Sequence, residues 1–190
     1  MSGAIAARGG ELARAMEERF GVPGSRFLAG LVPLGFGLVG AALANFPVSL
    51  TGGFLPTPLF ALMPVYFWGL VRPDLMPSWA AFVIGMTEDL LSGGPPGIWA
   101  ASFVACYAFV EWQRDALAGA GDYGAILGFA AAMVVAAGTA YGLVALYFWR
   151  LPPIAPLGAD IAINVLWYIP AVSLMNKVQH HLLGAHRSDL

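Results

Sequence analysis

The chain has 190 residues and a formal net charge of −2; 59% of its residues are hydrophobic and only 11% are charged. Soluble domains carry about 25% charged residues, so this composition predicts a protein whose solvent is the lipid bilayer. The small net charge gives no indication of a nucleic-acid partner, and the single cysteine, Cys106, excludes an internal disulfide.

Residues 1–26 are predicted to form a cytoplasmic tail. They are too polar to supply the apolar core of a cleavable signal peptide. Leu12, Met16 and Phe20 recur every four residues, and this spacing predicts a short amphipathic helix. Such a helix could lie on the inner membrane face or be a solvated tail, and the pattern leaves both open.

Apolar stretches follow the tail and predict one all-α domain, 27–176, a compact bundle of six transmembrane helices. A helix needs about 20 mostly apolar residues to cross a bilayer. The stretches are 27–46, 53–71, 77–92, 96–112, 124–149 and 156–176. Prolines interrupt the second stretch, and the third is short. Proline is tolerated where neighbouring helices satisfy the freed backbone groups.

The basic residues predict the orientation of these spans, because cytoplasmic loops collect Lys and Arg. If the N-terminus is inside, six spans leave Arg150 alone outside. The inner segments then hold Arg8, Arg14, Arg19, Arg26, Arg72, Arg114, Lys177 and Arg187. Omitting the second or third span would place Arg114 or Arg72 outside, so the bias supports both. The C-terminal tail, 177–190, is predicted to be cytoplasmic too.

The third span carries a polar stripe on an otherwise apolar helix. Gly85, Glu88, Asp89 and Ser92 are spaced at i, i+3, i+4 and i+7, and share one helix face. Ionisable residues in a span are costly and normally face the bundle interior. The following turn, 92–97, offers glycine amides as hydrogen-bond donors to Asp89. Either both carboxylates only cap this hairpin, or Asp89 has a structural role within a functional surface.

The last span carries a second stripe, in which Asp160, Asn164 and Trp167 are spaced at i, i+4 and i+7. Asp160 is near the predicted outer end of the span. It could therefore lie near the Asp89 turn, and the two would frame an outward-facing pocket. Alternatively, Asp160 is an acidic residue favoured by the helix dipole near a helix N-terminus.

The fifth span shows a ridge of small residues, which let membrane helices approach closely. The ridge consists of Gly124, Gly128, Ala132, Ala136 and Ala140. Packing inside the monomer is favoured over packing against a partner.

Aromatic residues near the predicted span ends are typical of an interfacial belt. They are Tyr66, Trp68, Trp79, Trp112, Tyr147, Trp149 and Trp167.

The sequence offers no set of catalytic or metal-binding residues. All three histidines follow Lys177, and the chain has neither an HExxH pattern nor a glycine-rich phosphate loop. A serine–histidine protease within the membrane is therefore excluded. We predict no enzyme activity, no metal and no cofactor.

The segment 64–100 resembles the rod-shape-determining MreD family of the bacterial inner membrane. The family pattern is an aromatic-rich helix, an Arg-Pro loop, an apolar helix ending Gly-x-x-x-Asp-Leu-Leu-Ser-Gly, and a Pro-x-Gly turn. The matching residues are Arg72, Pro73, Gly85, Asp89, Leu90, Leu91, Ser92, Gly93, Pro95 and Gly97; Glu88 and Gly94 belong to the same segment. Pro96 departs from the pattern, which usually has an apolar residue there.

The resemblance implies a non-enzymatic part of the cell-elongation complex, or elongasome, that maintains cell shape. Such proteins bind the single-span coiled-coil protein MreC. Through it they influence MreB filaments and RodA with its penicillin-binding transpeptidase, and hence peptidoglycan synthesis. The implied fold is similar to the membrane substrate-binding components of energy-coupling-factor transporters. A vitamin-binding component of such a transporter is the alternative function, and a channel or proton-coupled carrier is a third.

Overall fold

The computed structural model describes residues 23–45, 57–118 and 121–179. These residues form six α-helices and no strand, which confirms the all-α prediction. The helices are α1 (Pro23–Ala44), α2 (Leu62–Val71), α3 (Ser78–Ser92), α4 (Ile98–Ala118), α5 (Gly121–Phe148) and α6 (Ala155–Val178). The amphipathic helix expected within 1–22 and the tail after residue 179 lie outside the described residues.

The second predicted span differs most from the structure. Residues 57–61 are not helical, so the helix begins at Leu62 and ends at Val71. At 1.5 Å per residue, α2 is about 15 Å long, roughly half the thickness of the hydrocarbon core. The physical reason lies in the "PTP" sequence, since its prolines remove backbone donors and disfavour helix before each ring. The prediction of a continuous span over 53–71 is therefore wrong for the described residues.

Among the described residues, two helices are long and apolar enough to cross a membrane. They are Gly124–Phe148 and Ala155–Val178, and the segments Gly30–Ala44 and Leu62–Val71 are apolar but shorter. Helix α3 has 15 residues, fewer than the roughly 20 that a perpendicular crossing needs. Two membrane-length helices weakly indicate membrane association.

Helix α2 lies at the centre of the bundle and packs against α1, α4, α5 and α6. Its residues from Leu62 to Gly69 are all buried. Tyr66 and Trp68 belong to this core, so their assignment to an interfacial belt is wrong. A helix that is apolar on every face is stable only where neighbours surround it. The remaining belt residues, Trp79, Trp112, Tyr147, Trp149 and Trp167, are exposed.

An aromatic cluster joins α2 to the two longest helices. The rings of Phe129 and Tyr168 are stacked with centroids 4.1 Å apart, and Tyr66 packs edge-on against both. The Tyr66 hydroxyl also donates to the carbonyl of Ala125 at 2.8 Å. These contacts hold α5 and α6 against the central helix.

The small-residue ridge of α5 lies inside the bundle. Gly124, Gly128, Ala132, Ala136 and Ala140 are all buried, and α5 packs along α4 and α6. The ridge therefore packs inside the monomer, as the sequence analysis favours.

Candidate functional site

Two glycines shape the turn between α3 and α4. Gly93 ends α3 with φ of +68°, and Gly97 precedes α4 with φ of +96°. Residues with a side chain rarely adopt this left-handed backbone conformation, because their Cβ atoms clash with the backbone. The chain therefore reverses direction within the turn that the sequence predicts.

Asp89 caps the helix that follows its own. Its Oδ2 accepts from the amides of Gly97 (2.9 Å) and Ala100 (3.0 Å), and its Oδ1 from the amide of Trp99 (2.8 Å). The first amides of a helix have no intrahelical acceptor, and an N-cap side chain usually supplies one. Gly97 occupies the N-cap position and has no side chain, so a carboxylate from α3 takes this role. The interaction is also favoured by the helix dipole.

The expectation that glycine amides of the turn bind Asp89 is confirmed for Gly97. Trp99 and Ala100 were not predicted as donors. A signal for them was present, because a helix starting directly after Gly97 presents these two amides at its free end. Asp89 is only 3% exposed, so its carboxylate is fully committed to the backbone of α4.

Gly85 lets α3 and α4 approach closely enough for this cap. A Cβ atom at Gly85 would lie 2.6 Å from Ala100 Cα and 2.7 Å from the Trp99 carbonyl oxygen. Both contacts are to backbone atoms, which cannot rotate away. Gly85 and Asp89 lie one turn apart on the same face of α3. The first lets α4 approach closely, and the second caps it.

Glu88 has a different partner. Its Oε1 accepts from the side-chain Nδ2 of Asn45 just after α1 (2.8 Å), and the same Nδ2 also donates to the Ala41 carbonyl. The hairpin-capping alternative is therefore wrong for Glu88, which joins α3 to α1. Its second oxygen is buried without a hydrogen-bond partner among the described residues. Asn45 was not predicted as the partner of Glu88. The sequence showed only that it lies near the end of a predicted span.

Ser92 differs from the rest of its predicted stripe. Gly85, Glu88 and Asp89 are buried, whereas Ser92 is exposed. Its hydroxyl donates to the Asp89 carbonyl at 3.3 Å, a contact within the last turn of α3.

The Arg-Pro loop lies at the opposite end of α3 from this turn. The Arg72 guanidinium donates to both carboxylate oxygens of Asp74, each at 3.0 Å. The side-chain hydrogen bond to Asp74 raises the pKa of Arg72 above its ordinary value. Pro73 separates the two partners and helps form the tight loop. Arg72 and Pro73 therefore do not share a site with Asp89.

A cavity of about 300 Å³ opens at the same end of the bundle as the Asp89 turn. Residues of the chain before α2, the start of α4, the second half of α5 and the start of α6 line it. They include Leu59, Trp99, Tyr141, Asp160 and Asn164. Asp160 and Asn164 are thus brought together with the Asp89 turn, which Trp99 links to the cavity wall.

Trp167 does not line the cavity. Its ring packs edge-on against Phe60, with centroids 5.6 Å apart. Leu59 and Tyr141 were not predicted as cavity walls, because the periodic pattern within α6 carries no information about its contacts with other elements.

Hydrogen bonds fix the cavity walls. Asn164 Oδ1 accepts from the Leu59 amide at 2.7 Å, and its Nδ2 donates to the Asp160 carbonyl at 2.8 Å. The Tyr141 hydroxyl donates to the Pro152 carbonyl at 3.0 Å. Asn164 is 2% exposed and uses both ends of its amide, so its role is to hold the entry to α2 against α6.

In the part of the chain that the structure describes, no three His, Cys, Asp or Glu residues cluster in a way that could hold a metal ion. The arrangement around Asp89 thus pairs helices, while the cavity offers one carboxylate among mostly apolar walls. Comparisons with protein-family models, with curated proteins and with solved structures find no match to this chain.

Proposed function

We propose that the protein is an MreD-like, non-enzymatic scaffold of the bacterial cell-elongation complex. It lies in the inner membrane as a six-span bundle with both termini in the cytoplasm. It docks an MreC-like single-span coiled-coil protein and so helps position peptidoglycan synthesis by RodA and its transpeptidase partner along MreB filaments.

The observation that carries this proposal is the commitment of Asp89 to three backbone amides at the start of α4, those of Gly97, Trp99 and Ala100. Asp89 is the acid of the segment that resembles the MreD family. Backbone amides use three of the roughly four acceptor positions of this buried carboxylate, as expected for a structural role. These hydrogen bonds and the close approach of the helices at Gly85 hold α3 and α4 together as a pair. The segment therefore has a structural role.

The distribution of charge supports the membrane arrangement. One depression at the end of the bundle opposite the Asp89 turn is lined by Asp74, Asp115 and two arginines, Arg72 and Arg114. Both arginines are inner residues in the proposed topology, as the preference of cytoplasmic loops for Lys and Arg requires. Helix α2, with the non-helical chain before it, forms one crossing inside the bundle. Such backbone is tolerated at membrane depth only where protein surrounds it.

Depletion in a rod-shaped host tests the proposal. Loss of the protein should give rounded cells, and the native gene should restore rods. Unchanged rods in a host without a second copy would contradict the scaffold role. Co-purification with the single-span partner, followed by crosslinking, should identify the helices that contact it.

Asp89→Ala should weaken that complex, whereas Asp115→Ala is a matched control. Asp115 is an exposed carboxylate on α4 at the opposite end of the bundle. Normal shape support by an abundant Asp89→Ala protein would show that the cap is dispensable for docking.

The cavity favours a second candidate, a vitamin-binding component of an energy-coupling-factor transporter. Its volume of about 300 Å³ lies at the lower end of the range for small-molecule sites. Purified protein that retains a vitamin would support this candidate. Neighbouring genes for cell shape would favour the scaffold, and neighbouring ATPase genes would favour uptake.

A further inference from the structure

The cavity at the Asp89 end of the bundle has walls held rigidly by side chains on three sides. Asp89 fixes the backbone at Trp99, Asn164 fixes the backbone at Leu59, and Tyr141 binds the Pro152 carbonyl. All three contacts are made between groups of the protein itself. A preformed site loses less conformational freedom on binding than a flexible one, and its affinity is correspondingly higher.

Asp160 is the charged residue among the described residues that line the cavity. It is half-buried, and in the described part of the chain no group donates a hydrogen bond to its carboxylate. The lining described contains no lysine or arginine. Removing a carboxylate from water is costly unless an opposite charge or donors replace the water. A ligand that brings positive charge would supply this.

The remaining walls determine what else such a ligand must carry. Met133, Ala137, Val144 and Leu157 give an apolar surface, and Trp99 and Tyr141 are aromatic residues of the kind that attract cations. One carboxylate among apolar groups is a poor site for a metal ion, which needs several oxygen ligands. If each atom takes about one water-sized volume, the cavity holds roughly ten non-hydrogen atoms.

From this combination we infer that the cavity is a binding site for a small organic cation with an apolar body, in which the Asp160 carboxylate pairs with the positive group. The ligand enters from the outer side of the membrane, where the cavity opens in the proposed topology. The site goes beyond the scaffold role, and its occupancy does not require transport. Binding would further tie the chain before α2 to α5 and α6, since residues of all three line the cavity.

The test uses the full chain in nanodiscs and benzyltrimethylammonium as the cationic probe, with neopentylbenzene as its uncharged counterpart of equal size. Titration calorimetry should show saturable binding of the cation and at least about tenfold weaker binding of the neutral compound. Asp160→Asn should weaken cation binding by about tenfold or more. Asp115→Asn, which removes a carboxylate at the other end of the bundle, should leave it unchanged.

Val144→Trp gives a second variant that keeps the carboxylate. Val144 is half-buried and lines the cavity, so the larger ring should fill the space and abolish binding without a change in net charge. This variant decides the matter if Asp160→Asn fails to fold. No saturable binding to the native protein, equal binding of the neutral compound, or unchanged affinity in a folded Asp160→Asn or Val144→Trp protein would overturn the proposal.

Discussion

The carboxylate of Asp89 accepts a hydrogen bond from the amide of Trp99, ten residues further along the chain, at 2.8 Å. This bond joins two features of the bundle, because Trp99 lies in the first turn of α4 and also lines the cavity. The acid that ends one helix thus fixes the start of the next and one wall of the cavity.

Replacing Asp89 should destabilise the bundle. In Asp89→Ala the three amides lose a charged acceptor inside the protein, and we expect a loss of about 3 kcal/mol in the free energy of unfolding. Asp89→Asn keeps one acceptor oxygen and should lose less. Unfolding in mixed micelles measures both, with Asp115→Ala as a control that should change little. Equal stability of Asp89→Ala and the native protein would contradict the cap.

Adding one methyl group at Gly85 should force α3 and α4 apart. The Cβ of Gly85→Ala would overlap backbone atoms of Trp99 and Ala100, and overpacking of this kind costs about 1–3 kcal/mol. Gly138→Ala on α5 is a matched control, because its Cβ would meet nothing within 4 Å. The control should be neutral or gain up to about 1 kcal/mol from better helix propensity. The same unfolding measurement compares Gly85→Ala with Gly138→Ala. Equal changes in the free energy of unfolding would show that the close approach at Gly85 does not contribute to stability.

Substitution of the two adjacent glycines in the turn, Gly93 and Gly94, should affect stability differently. Gly93 has φ of +68°, so Gly93→Ala should cost about 1 kcal/mol, and Gly93→Asn less. Gly94 has no such backbone conformation, and its Cβ would meet only Ser92 Oγ at an ordinary 3.7 Å. Thermal unfolding of Gly93→Ala and Gly94→Ala should therefore differ in midpoint. Identical midpoints would argue against a left-handed end to α3.

How much of this arrangement follows from sequence depends on how local each interaction is. The Asp89 turn could be predicted because its glycines, prolines and acid lie within one short segment. The Glu88–Asn45 contact could not, because it joins residues 43 positions apart that share no periodic pattern. Tyr66 was misplaced for a similar reason. An aromatic residue near a span end indicates an interface only if its side chain faces the lipid, and the side chains of α2 are enclosed by the neighbouring helices.

Asn164 should prove structural rather than ligand-binding. Asn164→Ala leaves the half-buried Leu59 amide without its acceptor, and we expect a loss of about 1–3 kcal/mol in the free energy of unfolding. The chain before α2 should then become more mobile. Hydrogen exchange at Leu59 measures that directly, and protection as slow as in the native protein would show that another group holds this segment.

The central claim is that the bundle crosses the membrane with the Asp89 turn facing outward. Labelling with a membrane-impermeant maleimide tests it most directly, after the buried Cys106 is replaced by alanine. Gly94 is exposed in the turn and Asp115 is exposed at the other end of the bundle, so each can carry a reporter cysteine. Gly94→Cys should react in intact spheroplasts, whereas Asp115→Cys should react only after lysis. If Gly94→Cys reacts only after lysis, or if both positions react from the same side, the proposed arrangement in the membrane is wrong.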